Sequence, residues 1–77
     1  MPTLFTKNGF RFFFYSNDHT PIHVHVKRGD GEAVFEVEGD VVLRESVGMK
    51  IKDLAQAEDL AIEHKQIILQ KWHEYFD

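Results

Sequence analysis

The chain has 77 residues and a mass of 9.0 kDa, so it forms one domain, because two units of this size could not each bury a core. A hydrophobic content of 43 %, with seven Phe and two Pro, excludes disordered and low-complexity classes. The lack of Cys excludes disulfides, thiol catalysis and Cys-ligated metal sites, and it suits a reducing compartment.

The net charge of −4 is distributed unevenly along the chain. Residues 1–31 hold four Lys/Arg against two Asp, whereas residues 32–77 hold five Lys/Arg against eleven Asp/Glu. An anion-binding surface is therefore expected in the first half. The chain has neither a basic stretch followed by an apolar core at its start nor a window of about 18 apolar residues, so we expect a cytoplasmic protein that does not bind membranes.

The first half of the chain shows the two-residue period of β-strands. An aromatic run predicts a first strand near residues 10–15, and turn formers with a proline follow it. Alternating polar and apolar residues predict further strands at 23–28, 32–38 and 41–45, separated by Gly- and Asp-rich turns. The pattern therefore predicts a four-stranded antiparallel meander over about residues 9–45.

From about residue 50 the apolar period becomes helical, and no Gly or Pro follows. This predicts one long helix over about residues 50–76, with a break near Glu63 and His64 as the alternative. His64 lies on the apolar stripe of this helix, where a core or interface role is expected.

A helix that covers one face of the sheet gives a two-layer α+β domain. Because side chains alternate along a strand, each strand buries one face against the helix. The residues expected to face the helix are Phe10, Phe12, Phe14, Val24, Val26, Ala33, Phe35, Val37, Val41 and Leu43. The residues expected on the opposite face are Arg11, Phe13, Tyr15, His23, His25, Lys27, Val34, Glu36, Glu38 and Arg44.

The most specific local feature is His23-x-His25, because residues i and i+2 of a strand project to the same side. Asp18 and His19 lie a few residues upstream, in a loop that can fold back beside the two imidazoles. One hypothesis is a metal site formed by His23, His25 and a third ligand from His19 or Asp18. A water molecule at the fourth position would then make a hydrolytic site.

A second hypothesis is metal-independent cleavage of RNA, which needs no cofactor. His23 and His25 would act as general base and general acid, and Arg11 would offset the charge that builds on the phosphate. Phe13, Tyr15 and Lys27 would bind the substrate, the aromatic rings by stacking on bases. The acidic net charge opposes general affinity for nucleic acid.

A third hypothesis is structural: the His, Phe, Tyr and Arg side chains form cross-strand pairs or a surface for a second subunit. The C-terminal aromatics have the same two interpretations. Trp72, Tyr75 and Phe76 cannot all face one small core, since consecutive helical positions are about 100° apart. They either cap the end of the aromatic sheet or bind a partner or a second copy, as in a homodimer.

Several blocks of this sequence together resemble a family. These are the start Met1-Pro2-Thr3, the run Gly9-Phe10-Arg11-Phe12-Phe13-Phe14-Tyr15-Ser16-Asn17, the block Pro21-Ile22-His23-Val24-His25-Val26 and the ending Trp72-His73-Glu74-Tyr75-Phe76. In this order they resemble the small bacterial proteins known as domain of unknown function 4160. The resemblance spans essentially the whole chain.

The resemblance implies a toxin-like member of a toxin–antitoxin pair, because such proteins are often encoded beside a second small protein. It would make that neighbour the cognate partner, and Arg11, His23 and His25 the candidates for an active or target-binding face. Where members of the family carry a second proline before the His-Val-His block, this chain has Ile22, a difference that affects only the stiffness of the loop.

Overall fold

The computed structural model describes residues 3–77 and shows a five-stranded sheet with two helices on one face. The strands are β1 (Thr3–Lys7), β2 (Phe10–Phe13), β3 (His23–Arg28), β4 (Gly31–Glu36) and β5 (Val42–Val47). The helices are α1 (Ile51–Glu63) and α2 (Lys65–Phe76). Each strand pairs antiparallel with the next in sequence. The α+β class and the meander are confirmed, whereas four strands and one long helix are wrong, and the alternative of a break near Glu63 and His64 is confirmed.

The additional strand is β1, which forms a hairpin with β2. Asn8 and Gly9 connect the two strands with φ angles of 54° and 81°, the positive values that a two-residue hairpin turn requires. Phe5 of β1 stacks on Phe12 with ring centroids 4.6 Å apart. The strand is therefore held both by the turn and by contact with the core.

The helical segment divides at His64, whose φ and ψ of −105° and 19° are not helical. Its backbone N–H donates to the Leu60 carbonyl at 2.9 Å, and Nδ1 of its ring lies 2.9 Å from the same oxygen. The ring also packs on Phe5 at 4.6 Å between centroids. Both contacts draw His64 toward the core, and they account for the division of the predicted helix at this residue.

The core lies between the helices and the inward face of the sheet. Eight of the residues predicted to face the helix are buried: Phe10, Phe12, Phe14, Val24, Val26, Ala33, Phe35 and Val37. From the helices, Ala57, Leu60, Ala61, Ile68 and Trp72 complete this cluster. Among residues 3–77, neither helix has the length and apolarity needed to span a bilayer.

The edge strand β5 departs from the predicted pattern. Leu43 lies opposite Phe35, on the side of the sheet predicted to face the helix, but it is 40 % exposed, and Val41 is half-buried against the core. The register shifts between Val34 and Phe35, whose partners are Glu45 and Leu43, so Arg44 is an extra residue, a β-bulge. Every residue of β5 is exposed, because this strand lies at the sheet edge.

The outer face is the side of the sheet opposite the core, and it carries Arg11, Phe13, His23, His25, Val34 and Glu36, although His23 also contacts Trp72 of α2. The register defines it: His23 lies opposite Glu36, and His25 lies between Val34 on β4 and Phe13 on β2. The loop between β2 and β3 runs beside this face and brings Asp18 to it.

Candidate metal centre

Two imidazoles lie side by side on the outer face. His23 and His25 are 5 % and 9 % exposed, and their ring centroids are 5.2 Å apart. Aromatic neighbours fix both rings: Tyr15 and Phe13 pack against His25, and Trp72 packs against His23. The strand period correctly predicts that both rings project to the same side, but they are far less exposed than an open sheet surface would leave them.

The third group of the site is the Asp18 carboxylate. A tight turn holds it: the Tyr15 backbone N–H donates to Asp18 Oδ2 at 2.9 Å, and the Asp18 N–H donates to the Tyr15 carbonyl at 3.1 Å. Asp18 Oδ1 lies 3.2 Å from His23 Nε2 and 3.1 Å from His25 Nε2. One ligand atom from each of the three residues lies within 4.8 Å of the other two.

Each imidazole has its second ring nitrogen directed at an oxygen. His23 Nδ1 donates to the Pro21 carbonyl at 2.8 Å, since a carbonyl only accepts. His25 Nδ1 lies 3.7 Å from Glu32 Oε2, too far for a hydrogen bond, and this buried nitrogen has no hydrogen-bond partner in the described chain. Tyr15 donates its hydroxyl to the same Glu32 oxygen at 3.4 Å.

Two pKa shifts reflect these contacts. Burial tends to raise the pKa of Asp18, but the Tyr15 N–H and the imidazoles of His25 and His23 outweigh it, and the pKa is lower than usual. The pKa of the Tyr15 hydroxyl is raised, first by burial and then by the negative charge of Glu32 and the hydrogen bond to it. The carboxylate of Asp18 is therefore ionised at neutral pH and available as a ligand.

A shallow groove of about 330 Å³ opens over the three groups. Asp18, His23 and His25 line it together with Glu32, Arg44 and Glu45. Three carboxylates against one guanidinium give the groove a negative lining, which attracts cations and repels polyanions. The site is thus accessible from solvent although its side chains are mostly buried.

Of the other predicted active-site residues, Phe13 and Tyr15 pack against His25, and none belongs to the group of three possible ligands. Arg11 lies over the Phe13 ring, 4.7 Å from its centroid, and opposite Lys27 on β3. Phe13 is fully buried and presents no open ring face for stacking. Tyr15 is half-buried beside Glu32, and Lys27 is exposed. The catalytic and substrate-binding roles of these residues remain predictions.

The predicted metal ligand His19 and the predicted partner-binding aromatics of α2 differ in their exposure. His19, one of the predicted metal ligands, is exposed and borders the groove, outside the group of three. Trp72 is 3 % exposed in the core, Phe76 is half-buried against it, and Tyr75 is 45 % exposed. Partner binding by these aromatics therefore remains a prediction, with Tyr75 the accessible member.

Sequence analysis did not single out Glu32. Glu32 nevertheless lies beside the site, because its Oε2 is 3.7 Å from His25 Nδ1 and accepts from the Tyr15 hydroxyl at 3.4 Å. The signal was present in the strand period, because Glu32 is two residues from the outward-facing Val34 and therefore shares its face.

A family model described as Domain of unknown function (DUF4160) matches residues 9–73. The chain belongs to this family. The match includes the aromatic strand, the His-Val-His block and all three residues of the candidate centre, and it confirms the resemblance seen in the sequence. Of the quoted motif residues, Met1 and Pro2 lie outside the part that the structure describes. No curated protein and no solved structure matches the chain.

Proposed function

We propose that this domain binds a divalent transition-metal ion through His23 Nε2, His25 Nε2 and the Asp18 carboxylate, and that a metal-bound water gives it hydrolytic activity. The observation that carries the proposal is the convergence of these three groups, with Nε2–Oδ1 distances of 3.1 and 3.2 Å. Ligands of a tetrahedral zinc ion with bonds of about 2.0 Å lie about 3.3 Å from one another. The observed separations are close to this spacing.

The hydrogen bonds of His23 support the same assignment. His23 Nδ1 carries the proton that is donated to the Pro21 carbonyl. In the neutral ring, Nε2 therefore carries a lone pair, and this atom lies 3.2 Å from Asp18 Oδ1. Two acceptors then face each other unless a proton or a metal ion lies between them. Histidine ligands of metals usually donate their other N–H to a carbonyl or carboxylate, as His23 does to Pro21.

The position of Glu32 extends this pattern to the second histidine. Its carboxylate lies 3.7 Å from His25 Nδ1, which leaves Nε2 of that ring for the metal when Nδ1 carries the proton. A small movement of the Glu32 side chain, which is 31 % exposed, would complete the hydrogen bond. Both imidazoles would then present a lone pair to the metal.

Asp18, His23 and His25 would supply three of the four ligands of a tetrahedral zinc ion and would leave the fourth to water. A zinc ion lowers the pKa of bound water to about 7, which generates a nucleophile at neutral pH. With Zn²⁺ bound, its two positive charges would offset the excess of the carboxylates of Asp18, Glu32 and Glu45 over the guanidinium of Arg44, so the charge of the groove would not by itself select a substrate class. Mg²⁺ is a poor candidate for the metal, because it prefers oxygen ligands and imidazole suits zinc, copper, nickel and iron.

The second candidate is metal-free cleavage of RNA by a toxin-like protein of a toxin–antitoxin pair. The two adjacent imidazoles favour it, since general base and general acid need such proximity. Two observations count against it. The guanidinium of Arg11 lies over the Phe13 ring and does not line the groove. The carboxylates that line the groove repel a phosphodiester.

Calorimetric titration of metal-free protein with Zn²⁺ tests the first candidate. We expect one zinc ion per chain with a dissociation constant of about 1 µM or below, and a loss of at least about 100-fold in affinity for His23→Ala and His25→Ala. His73→Ala is the matched control, because His73 is exposed on α2 and should leave the affinity unchanged. Equal affinity of the wild type and His23→Ala would contradict the proposal.

Growth and cleavage assays separate the second candidate from the first. Growth arrest on expression, with cleavage of RNA by the purified protein in excess EDTA and loss of both in His25→Ala, would favour metal-free chemistry. Hydrolysis that needs added Zn²⁺ and stops in EDTA would favour the metal site.

A further inference from the structure

The structure carries a second surface, the exposed edge strand β5, which lies beside the groove. We infer that β5 pairs antiparallel with β5 of a second copy of this chain, forming a homodimer with a continuous sheet. An edge strand offers unpaired backbone N–H and C=O groups to another strand. Val42 and Val47, at its two ends, are 53 % and 71 % exposed, so the edge also carries apolar side chains.

The order in which the side chains of β5 face inward and outward is symmetric about the centre of the strand. Leu43 and Ser46 lie opposite Phe35 and Ala33, which face the helices. Val42 and Val47 lie opposite Glu36 and Glu32, on the other side of the sheet. A strand with this order, read in either direction, presents the same sequence of inward and outward side chains.

The bulge places two opposite charges together at this centre. Glu45 lies opposite Val34 on the outer face, and the extra residue Arg44 points to the same side, with Nε 3.9 Å from Glu36 Oε2. Both also line the groove on that face. Arg44 and Glu45 therefore act as one position of the strand, and a twofold axis can pass through it.

Self-pairing about this axis is complementary in charge as well as in the facing of the side chains. Arg44 of one copy meets Glu45 of the other twice, and Val42 meets Val47 twice. Opposite charges across two strands stabilise the pairing, whereas like charges destabilise it. The existing Arg44–Glu36 pair competes little, because its side chains are 43 % and 40 % exposed and exposed pairs contribute little.

The dimer would also change the groove of each copy. Arg44 and Glu45 line that groove, so the second copy would bring its own Arg44 and Glu45 to the wall, which pairs these charges without changing their sum. The inference does not depend on metal binding, because the β5 edge and the His–Asp group are separate sets of side chains.

Sedimentation equilibrium over about 5–500 µM protein, with EDTA present, tests the pairing, since a short strand interface forms a weak dimer. We expect the mass to rise from monomer to dimer in this range. Arg44→Glu and Glu45→Arg should each weaken the dimer about tenfold or more, because two attractive contacts become repulsive. The double variant Arg44→Glu/Glu45→Arg restores complementarity and should return to within about threefold of wild type.

Lys52→Glu is the matched control, because it makes the same charge change at an exposed position on α1. Circular dichroism of each variant shows whether the fold is retained. A monomer at all concentrations, or a dimer that Arg44→Glu does not weaken, would overturn the inference. A double variant no stronger than the single variants would overturn the register. A wild-type protein that forms the dimer but does not bind zinc would contradict only the proposed metal site.

Discussion

Zinc should raise the thermal stability of this domain, and the size of the effect follows from linkage. A ligand that binds only the folded state stabilises it by about 2.7 kcal/mol at a free concentration of about 100 times the dissociation constant. The unfolded chain cannot reproduce the site, because the turn at Asp18 and strand β3 must both form before Asp18, His23 and His25 meet. Binding free energy is therefore largely available as folding stability.

For a domain of this length, about 1 kcal/mol corresponds to about 4–8 °C in Tm. Saturating zinc should thus raise Tm by about 10–20 °C, measured by circular dichroism of metal-free protein with and without Zn²⁺ at neutral pH. Equimolar Mg²⁺ should give no comparable shift. His73→Ala should keep the zinc effect, whereas His23→Ala should lose it. An unchanged Tm of the wild type in zinc, or a full shift in His23→Ala, would refute the reasoning.

Three further predictions concern the surroundings of the site. Glu32→Gln should weaken zinc binding about 10-fold or more in calorimetry, because it removes the carboxylate beside His25 Nδ1, whereas Glu36→Gln should not. The stability that Asp18 confers is present above its ordinary pKa of 3.8 and is lost as pH falls through its lowered folded value. Urea unfolding in EDTA should therefore show that the free energy of unfolding falls less at acid pH in Asp18→Asn than in the wild type. The same pH dependence in both proteins would contradict this. Trp72→Ala should cost about 3–5 kcal/mol in urea unfolding, since Trp72 is buried. Tyr75→Ala, at an exposed position, should cost less than about 1 kcal/mol, and equal losses would contradict the packing.

Most of the sheet could be predicted because the strand period is strong in the first half of the chain. Strands β2 and β3 lie within the predicted segments, β4 begins one residue before its segment, and the inward residues of these strands are buried. Strand β1 was missed because its five residues are a weak signal on their own. The dipeptide Asn8-Gly9 was the available evidence, since it favours a two-residue hairpin turn.

The remaining differences depend on tertiary contacts. His64 interrupts the helix where its ring meets Phe5 and its side chain meets the Leu60 carbonyl, and helical periodicity contains neither contact. The bulge at Arg44 likewise depends on how β5 pairs with β4. Leu43 lies on the predicted inward side, opposite Phe35, but its position on the edge strand leaves it 40 % exposed, which a period-two pattern does not show.

The candidate site was partly predictable for the same reason. Strand geometry places His23 and His25 on one side, and proximity in sequence made Asp18 a candidate ligand. Arg11 lies on the same face as the two histidines, but strand alternation does not give the distance between its side chain and theirs. The structure places the Arg11 guanidinium over the Phe13 ring. The choice of Asp18 over His19 needed the turn in which the Tyr15 N–H holds the carboxylate.

Anomalous diffraction at the zinc edge, from crystals grown with stoichiometric zinc, tests the central claim most directly. We expect a peak about 2.0–2.2 Å from His23 Nε2, His25 Nε2 and an Asp18 carboxylate oxygen. A peak bound by other side chains, or none at this group, would contradict the metal assignment.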